Sequence, residues 1–151
     1  MTKPCDHPKD LKVLTRRVQA CLTPDLLCKK YRSGGHGPYA GHCAVASEAI
    51  WAARARELGY KHRRGLTDEA TPHIWLVSPE GCVLGPTASQ FSPDHLQRIY
   101  ARGKGVGPQG ARYDAQGRLV PSARAREVLR RMEAQGGGRV AGVRRKKPRR
   151  R

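Results

Sequence analysis

The segment from His42 to Leu58 constrains the fold most. It is rich in Ala and Glu, a helix-forming composition, and it follows directly on Ser33 to Gly41, which holds four glycines and a proline. Val45, Ala49 and Ala52 fall on one side of such a helix, Ala46, Ile50 and Ala53 lie beside them, and Gly59 supplies a stop. Small side chains on two adjoining stripes let neighbours approach closely from both flanks. This is therefore expected to be the central helix. The loop before it can adopt backbone angles closed to most residues, and it delivers Cys43 to the first turn.

The elements on either side follow from local pattern. Asp10 is expected to cap a helix with Leu11, Leu14 and Val18 on its buried stripe, ending near Leu22. Thr23-Pro24-Asp25 reads as a second helix start, with Leu26, Leu27 and Tyr31 inward. A weak strand is expected over Tyr60 to Arg64 and a polar loop over Thr67 to Thr71. His73 to Val77, the turn Pro79-Glu80-Gly81 and Cys82-Val83-Leu84 form a hairpin pattern, with Pro86 at its end.

Ser92-Pro93-Asp94 starts a short helix carrying Leu96, Ile99 and Tyr100. Gly103 to Gly110, with Lys104, has the composition of a phosphate loop but neither a following Gly-Lys-Ser nor a strong preceding strand, and reads as a flexible linker. Pro121-Ser122 caps a last helix to about Gln135, which docks Val128, Leu129 and Met132 and turns Arg124, Arg126, Arg130 and Arg131 outward as a cationic ridge. The expected class is α+β: a core over residues 8–102, a Gly-rich linker and basic helix over 103–135, and a disordered tail over 136–151.

Charge then narrows the partners. The chain of 151 residues carries 30 Lys and Arg against 12 Asp and Glu, a net +18. Residues 136–151 hold eight cations and no acid, so 22 basic and 12 acidic residues lie upstream and the body is itself at +10. Arg144, Arg145, Lys146, Lys147, Arg149, Arg150 and Arg151 form a run suited to non-specific contact with nucleic acid or another polyanion. No helix-turn-helix or finger pattern implies sequence readout.

No apolar stretch approaches bilayer length and no signal-like run opens the chain, so a cytoplasmic protein without membrane contact is expected. Five cysteines at irregular spacing read as reduced thiols, and no paired Cys spacing marks a metal site; no metal or cofactor is expected.

One constellation points to chemistry. A thiol at a helix N-terminus faces unsatisfied N–H groups that favour its thiolate, and Cys43 occupies such a position. An imidazole within reach would complete a nucleophile and base, and His73 begins a strand expected to pack on that helix. The backbone N–H of Cys43 and the neighbouring His42 are candidate oxyanion donors. The bland alternative is that Cys43 is a small buried hydrophobe, the commonest fate of a free cysteine, and that Trp51 and Trp75 are core residues.

The order of these features resembles the papain-like fold in its transglutaminase-like form, over about Tyr31 to Phe91. The resemblance rests on Tyr39-Ala40-Gly41-His42-Cys43-Ala44-Val45-Ala46-Ser47-Glu48-Ala49, on Thr71-Pro72-His73-Ile74-Trp75-Leu76, and on Gly81-Cys82-Val83-Leu84-Gly85-Pro86-Thr87-Ala88-Ser89-Gln90-Phe91. It extends more loosely to small uncharacterised phage and bacterial proteins, in which case the cytoplasm is that of a host.

It implies a cysteine-dependent hydrolase or acyl transferase acting on a protein or peptide, with Cys43 as nucleophile and His73 as base. The superfamily's Asp-Pro-Thr is here Gly85-Pro86-Thr87, so the orienting acid is missing, a loss that lowers turnover about 10⁴-fold in triad hydrolases. Gln90 is the preferred substitute and Asp68 the second. The competing class is a non-catalytic, nucleic-acid-associated phage accessory protein that uses the basic helix and tail.

Overall fold

The computed structural model describes residues 5–26, 42–108 and 110–136. The glycine-rich loop before Cys43 and most of the basic tail lie outside them. Four helices, α1 (Lys9–Ala20), α2 (Cys43–Ile50), α3 (Pro93–Ala101) and α4 (Ala123–Gln135), surround an antiparallel sheet, so the chain is α+β. That sheet holds β1 (Lys61–Leu66), β2 (Pro72–Val77), β3 (Val83–Leu84) and β4 (Lys104–Gly105) in the order β3-β2-β1-β4. A separate small ribbon pairs β5 (Arg112–Tyr113) with β6 (Leu119–Val120).

The alanine-rich helix is central, as its composition requires. Every residue of α2 except Ala44 is buried, and α1, α4 and β2 all pack on it. Ala46, Ala49 and Ile50 join Leu11 and Val18 of α1, Leu76 of β2, and Val128 and Met132 of α4 in one cluster. Past Ile50 the helix widens into a π-helical turn, Trp51–Ala55, in which the Arg56 N–H reaches the Trp51 carbonyl at 2.9 Å. Gly59 then ends it at φ +80°.

The expected caps form where hydroxyls stand before a helix. Ser92 accepts from the His95 N–H with Pro93 in the first turn of α3, and Ser122 accepts from the Ala125 N–H to start α4. Asp10 instead lies inside the first turn of α1, where its carboxylate accepts from the Leu11 N–H and pairs with Arg54. The Pro24–Leu26 segment is a single 3₁₀ turn.

The hairpin pairs Leu76 with Leu84 and Val77 with Val83. The weak strand proves to be interior, since β1 pairs along its whole length with β2 and also with β4. Gly103 to Gly110 is thus not a plain linker. It supplies the edge strand β4, and Gly103 permits this because a Cβ there would stand 2.7 Å from the Trp75 ring and 2.9 Å from the Tyr100 carbonyl.

The expectation of five reduced thiols needs correction. Cys5 and Cys82, 77 residues apart, form a disulfide with a Cα–Cα distance of 5.4 Å. Proximity comes from the lead-in, which His7 fixes against the sheet: one ring nitrogen lies 2.8 Å from the Val83 carbonyl and the other 2.7 Å from the Tyr60 hydroxyl. In the neutral ring Nε2–H donates to Val83 and Nδ1 accepts from Tyr60. Cys21 and Cys43 remain free and buried. Among the described residues no helix is long and apolar enough to cross a membrane.

Candidate functional site

Cys43 opens α2 as expected, and its environment is the first test of a nucleophile. Burial pushes the thiol up from its ordinary value, opposed by the backbone N–H groups of Ile74, Ala44 and Cys43 itself. Because β3 pairs only with Leu76 and Val77, the edge of β2 at Ile74 is left open to the sulfur. The N–H donors of a helix start are thus present, but desolvation outweighs them.

His73 turns elsewhere. Alternate strand residues share a face, and β2 is sandwiched: Ser47 of α2 donates to the Ile74 carbonyl at 3.4 Å and Leu76 joins the α2 core, whereas Trp75 packs on Tyr100 of α3 at 4.9 Å. His73 shares Trp75's face. Its ring lies 4.9 Å from that of Phe91 and 5.9 Å from that of Trp75, and is 1% exposed.

Burial first, and then the charge of His95, lowers the His73 imidazole to about 4. Its Nε2 has no hydrogen-bond partner. The causes acting on the thiol and on the ring do not include each other, and no hydrogen bond joins them among the described residues. No hydrogen bond therefore joins Cys43 to His73 in this structure: the ring packs on Phe91 and Trp75 on the α3 side of β2, and the sulfur receives the Ile74 N–H from the α2 side.

The supporting roles change for the same reason. The Gln90 amide donates to the Thr87 hydroxyl at 3.3 Å rather than orienting His73. Asp68 is held by Arg98 at 2.7 Å and Arg102 at 3.2 Å, with Arg98 chiefly responsible for a carboxyl lowered to about 2. His42, a candidate oxyanion donor, is 1% exposed, and its Nε2–H donates to the Thr23 carbonyl at 2.9 Å. Gly85 stands where the resemblance calls for an acid; a Cβ there would meet the Tyr100 hydroxyl and Ala88 at 3.1 Å each.

Two features escaped sequence reading. Glu48, 1% exposed, accepts from the Ser122 N–H at 2.9 Å and from its hydroxyl at 2.5 Å, tying α2 to the start of α4. A carboxylate within an otherwise alanine-lined helix was the available signal. The second is a cleft of about 750 Å³ at the far end of the sheet from Cys43, lined by Trp51, Tyr60, Lys61, His62, Arg63 and residues of the turns opposite.

The cleft exists because the β1–β4 ladder stops. The Val106 N–H reaches the His62 carbonyl at 3.1 Å, but two residues on stands Pro108, which has no N–H, and the Tyr60 carbonyl is taken by the Trp51 indole at 3.1 Å.

Cations are distributed unevenly over this body. Arg130 and Arg131 of the expected ridge on α4 pair with Glu127, and Arg131 also with Asp25. Among the described residues, Lys61, Arg63 and Arg64 on β1 and Lys104 on β4 have no carboxylate partner, and Arg64 lies across from Lys104. Arg63 spends one N–H on the Gly103 carbonyl at 2.8 Å. No group of three or more metal-binding side chains occurs among the described residues. No family model matches this chain, and neither a curated protein nor a solved structure does.

Proposed function

We propose that this chain is a basic, sequence-non-specific nucleic-acid-binding protein whose α+β body is a scaffold for cationic surface. The observation that carries this reading is the four cations of β1 and β4, Lys61 and Arg63 on one face of the sheet and Arg64 and Lys104 on the other, left without carboxylates on a body already at +10. Unpaired surface cations exchange condensed counterions for phosphates at little desolvation cost, which is the physics of non-specific binding. The eight cations of residues 136–151 would add to it.

Duplex affinity measured by anisotropy against salt concentration tests the proposal. Neutralising Lys61, Arg63, Arg64 and Lys104 to Gln should flatten the log–log slope by up to about 4, and neutralising the tail cations by up to about 7. Affinity indifferent to salt and to both sets of substitutions would refute it.

A second reading, acyl transfer through a thioester at Cys43 with His73 as base, is favoured by the Ile74 and Ala44 N–H groups at the sulfur. It requires the His73 ring to leave Phe91 and turn toward α2. An electrophilic probe decides it: Cys43 must react faster than the free, buried Cys21 and must slow when His73 is replaced, and equal rates remove the reading.

A further inference from the structure

We propose that the cleft at the open end of β1 binds a nucleoside 5′-phosphate, free or at the end of a single strand, with the base between its apolar walls and the phosphate on Lys61 and Arg63. Its size suits such a ligand, since clefts of roughly 300–1,000 Å³ with mostly apolar walls and a few polar groups are the usual form of small-molecule sites. Trp51, Tyr60, Val77, Pro79, Val106 and Pro108 give the walls, and Lys61 and Arg63 are the only charged residues of the lining. The occupant is therefore expected to combine an apolar, planar part with an anionic one.

No acidic side chain of this chain takes that place. All 12 acidic residues lie among the described ones and none lines the cleft, while the remaining residues contain only cations and neutral side chains. A cationic segment gains nothing from a cationic rim. His62 also borders the cleft, but it is 2% exposed and its partnerless Nε2 is sealed from solvent, so it belongs to the wall.

The cleft shares Lys61 and Arg63 with the counterion-driven surface proposed above, but its apolar walls do not belong to that surface, and one substitution separates the two readings. Gly105 lines the cleft, has no left-handed backbone angle, and a Cβ there meets nothing within 4 Å, so Gly105→Leu fills the space without disturbing the fold or any cation. In calorimetric titrations of the full chain, AMP and CMP should saturate one site. Gly105→Leu should abolish that binding, Arg63→Gln should weaken it about tenfold, and inorganic phosphate alone should not compete at equal concentration.

A 5′-phosphorylated single strand competing with AMP, when the same strand lacking the phosphate does not, marks a strand end as the source; AMP saturation without such competition marks the free nucleotide. Duplex affinity and its salt slope should be the same in Gly105→Leu and the parent chain. Nucleotide binding that survives Gly105→Leu, or phosphate competing as well as AMP, overturns the cleft assignment and leaves the non-specific surface standing. Loss of salt-dependent duplex binding alone would do the reverse.

Discussion

The two ends of the α2 layer differ in what they do with polar groups. At the Cys43 end a thiol and two imidazoles, His42 and His73, are all buried, and the ring that resembles a catalytic base is packed against Phe91. At the Trp51 end the sheet opens, a cleft of about 750 Å³ forms, and cations rim it. The first end is desolvated and favours neutral species; the second keeps its charges in water. Residues that look reactive in a list are therefore the closed ones here, and the accessible chemistry lies where the sequence shows only a weak strand.

Both ends nevertheless carry a buried histidine held neutral, and this gives the largest expected effect. Burial lowers His62 to about 4, and His73 reaches about the same value through burial and the nearby His95. A ring whose pKa falls on folding loses nothing above its ordinary value near 6.5, because folded and unfolded states are then both neutral. As pH drops from 6.5 toward 4 the unfolded chain takes up protons that the folded chain refuses, and stability falls. Each ring can contribute up to about 3 kcal/mol across that window. Urea unfolding at pH 7 and pH 4.5 should show the drop, and His73→Phe or His62→Phe should each remove about half of it. A pH-independent midpoint would mean that neither ring is sealed, and the contrast between the ends would fail.

Glu48 tests what joins the two ends. Its carboxylate satisfies both the backbone and the side chain of Ser122 at the start of α4. Glu48→Ala leaves a buried donor unmet and should cost about 2–3 kcal/mol, whereas Ser122→Ala removes a cap for about 1 kcal/mol. Because the two residues act on one contact, the double variant should cost less than the sum. Additive costs in chemical denaturation would break the link between α2 and α4.

How much of this was legible depends on range. The α2 helix, the β2–β3 hairpin and the Ser92 and Ser122 caps rest on patterns spanning a few residues, and the sequence states them. Which face His73 takes was not readable. Strand β2 is Pro-His-Ile-Trp-Leu-Val with helices on both faces, so all but its ends are buried and the alternation that would distinguish inside from outside is missing.

The Cys5–Cys82 and Glu48–Ser122 contacts join residues 77 and 74 positions apart, separations on which local periodicity is silent. The cleft depends on Pro108 failing to continue a pairing that the sequence did not announce, because β4 is only two residues long, follows Gly103 and itself contains Gly105.

The smallest predicted effect discriminates best between the two readings of the closed end. If Cys43 is a packed residue whose sulfur only receives backbone N–H groups, Cys43→Ala removes one polarisable atom from a site 9% exposed and a weak acceptor from Ile74. The cost should be about 1 kcal/mol, near the average for any substitution, with no change in duplex affinity or its salt slope. Cys43→Ser should cost more, since a hydroxyl is harder to desolvate than a thiol and the backbone N–H groups at this position only donate to it. A catalytic cysteine inverts the pattern: alanine often leaves stability untouched or raises it, because strain and desolvation at an active site are released. Denaturation of the two variants side by side therefore reads the role of the thiol without knowledge of any substrate, and a stabilised alanine variant would return the Cys43 end to chemistry.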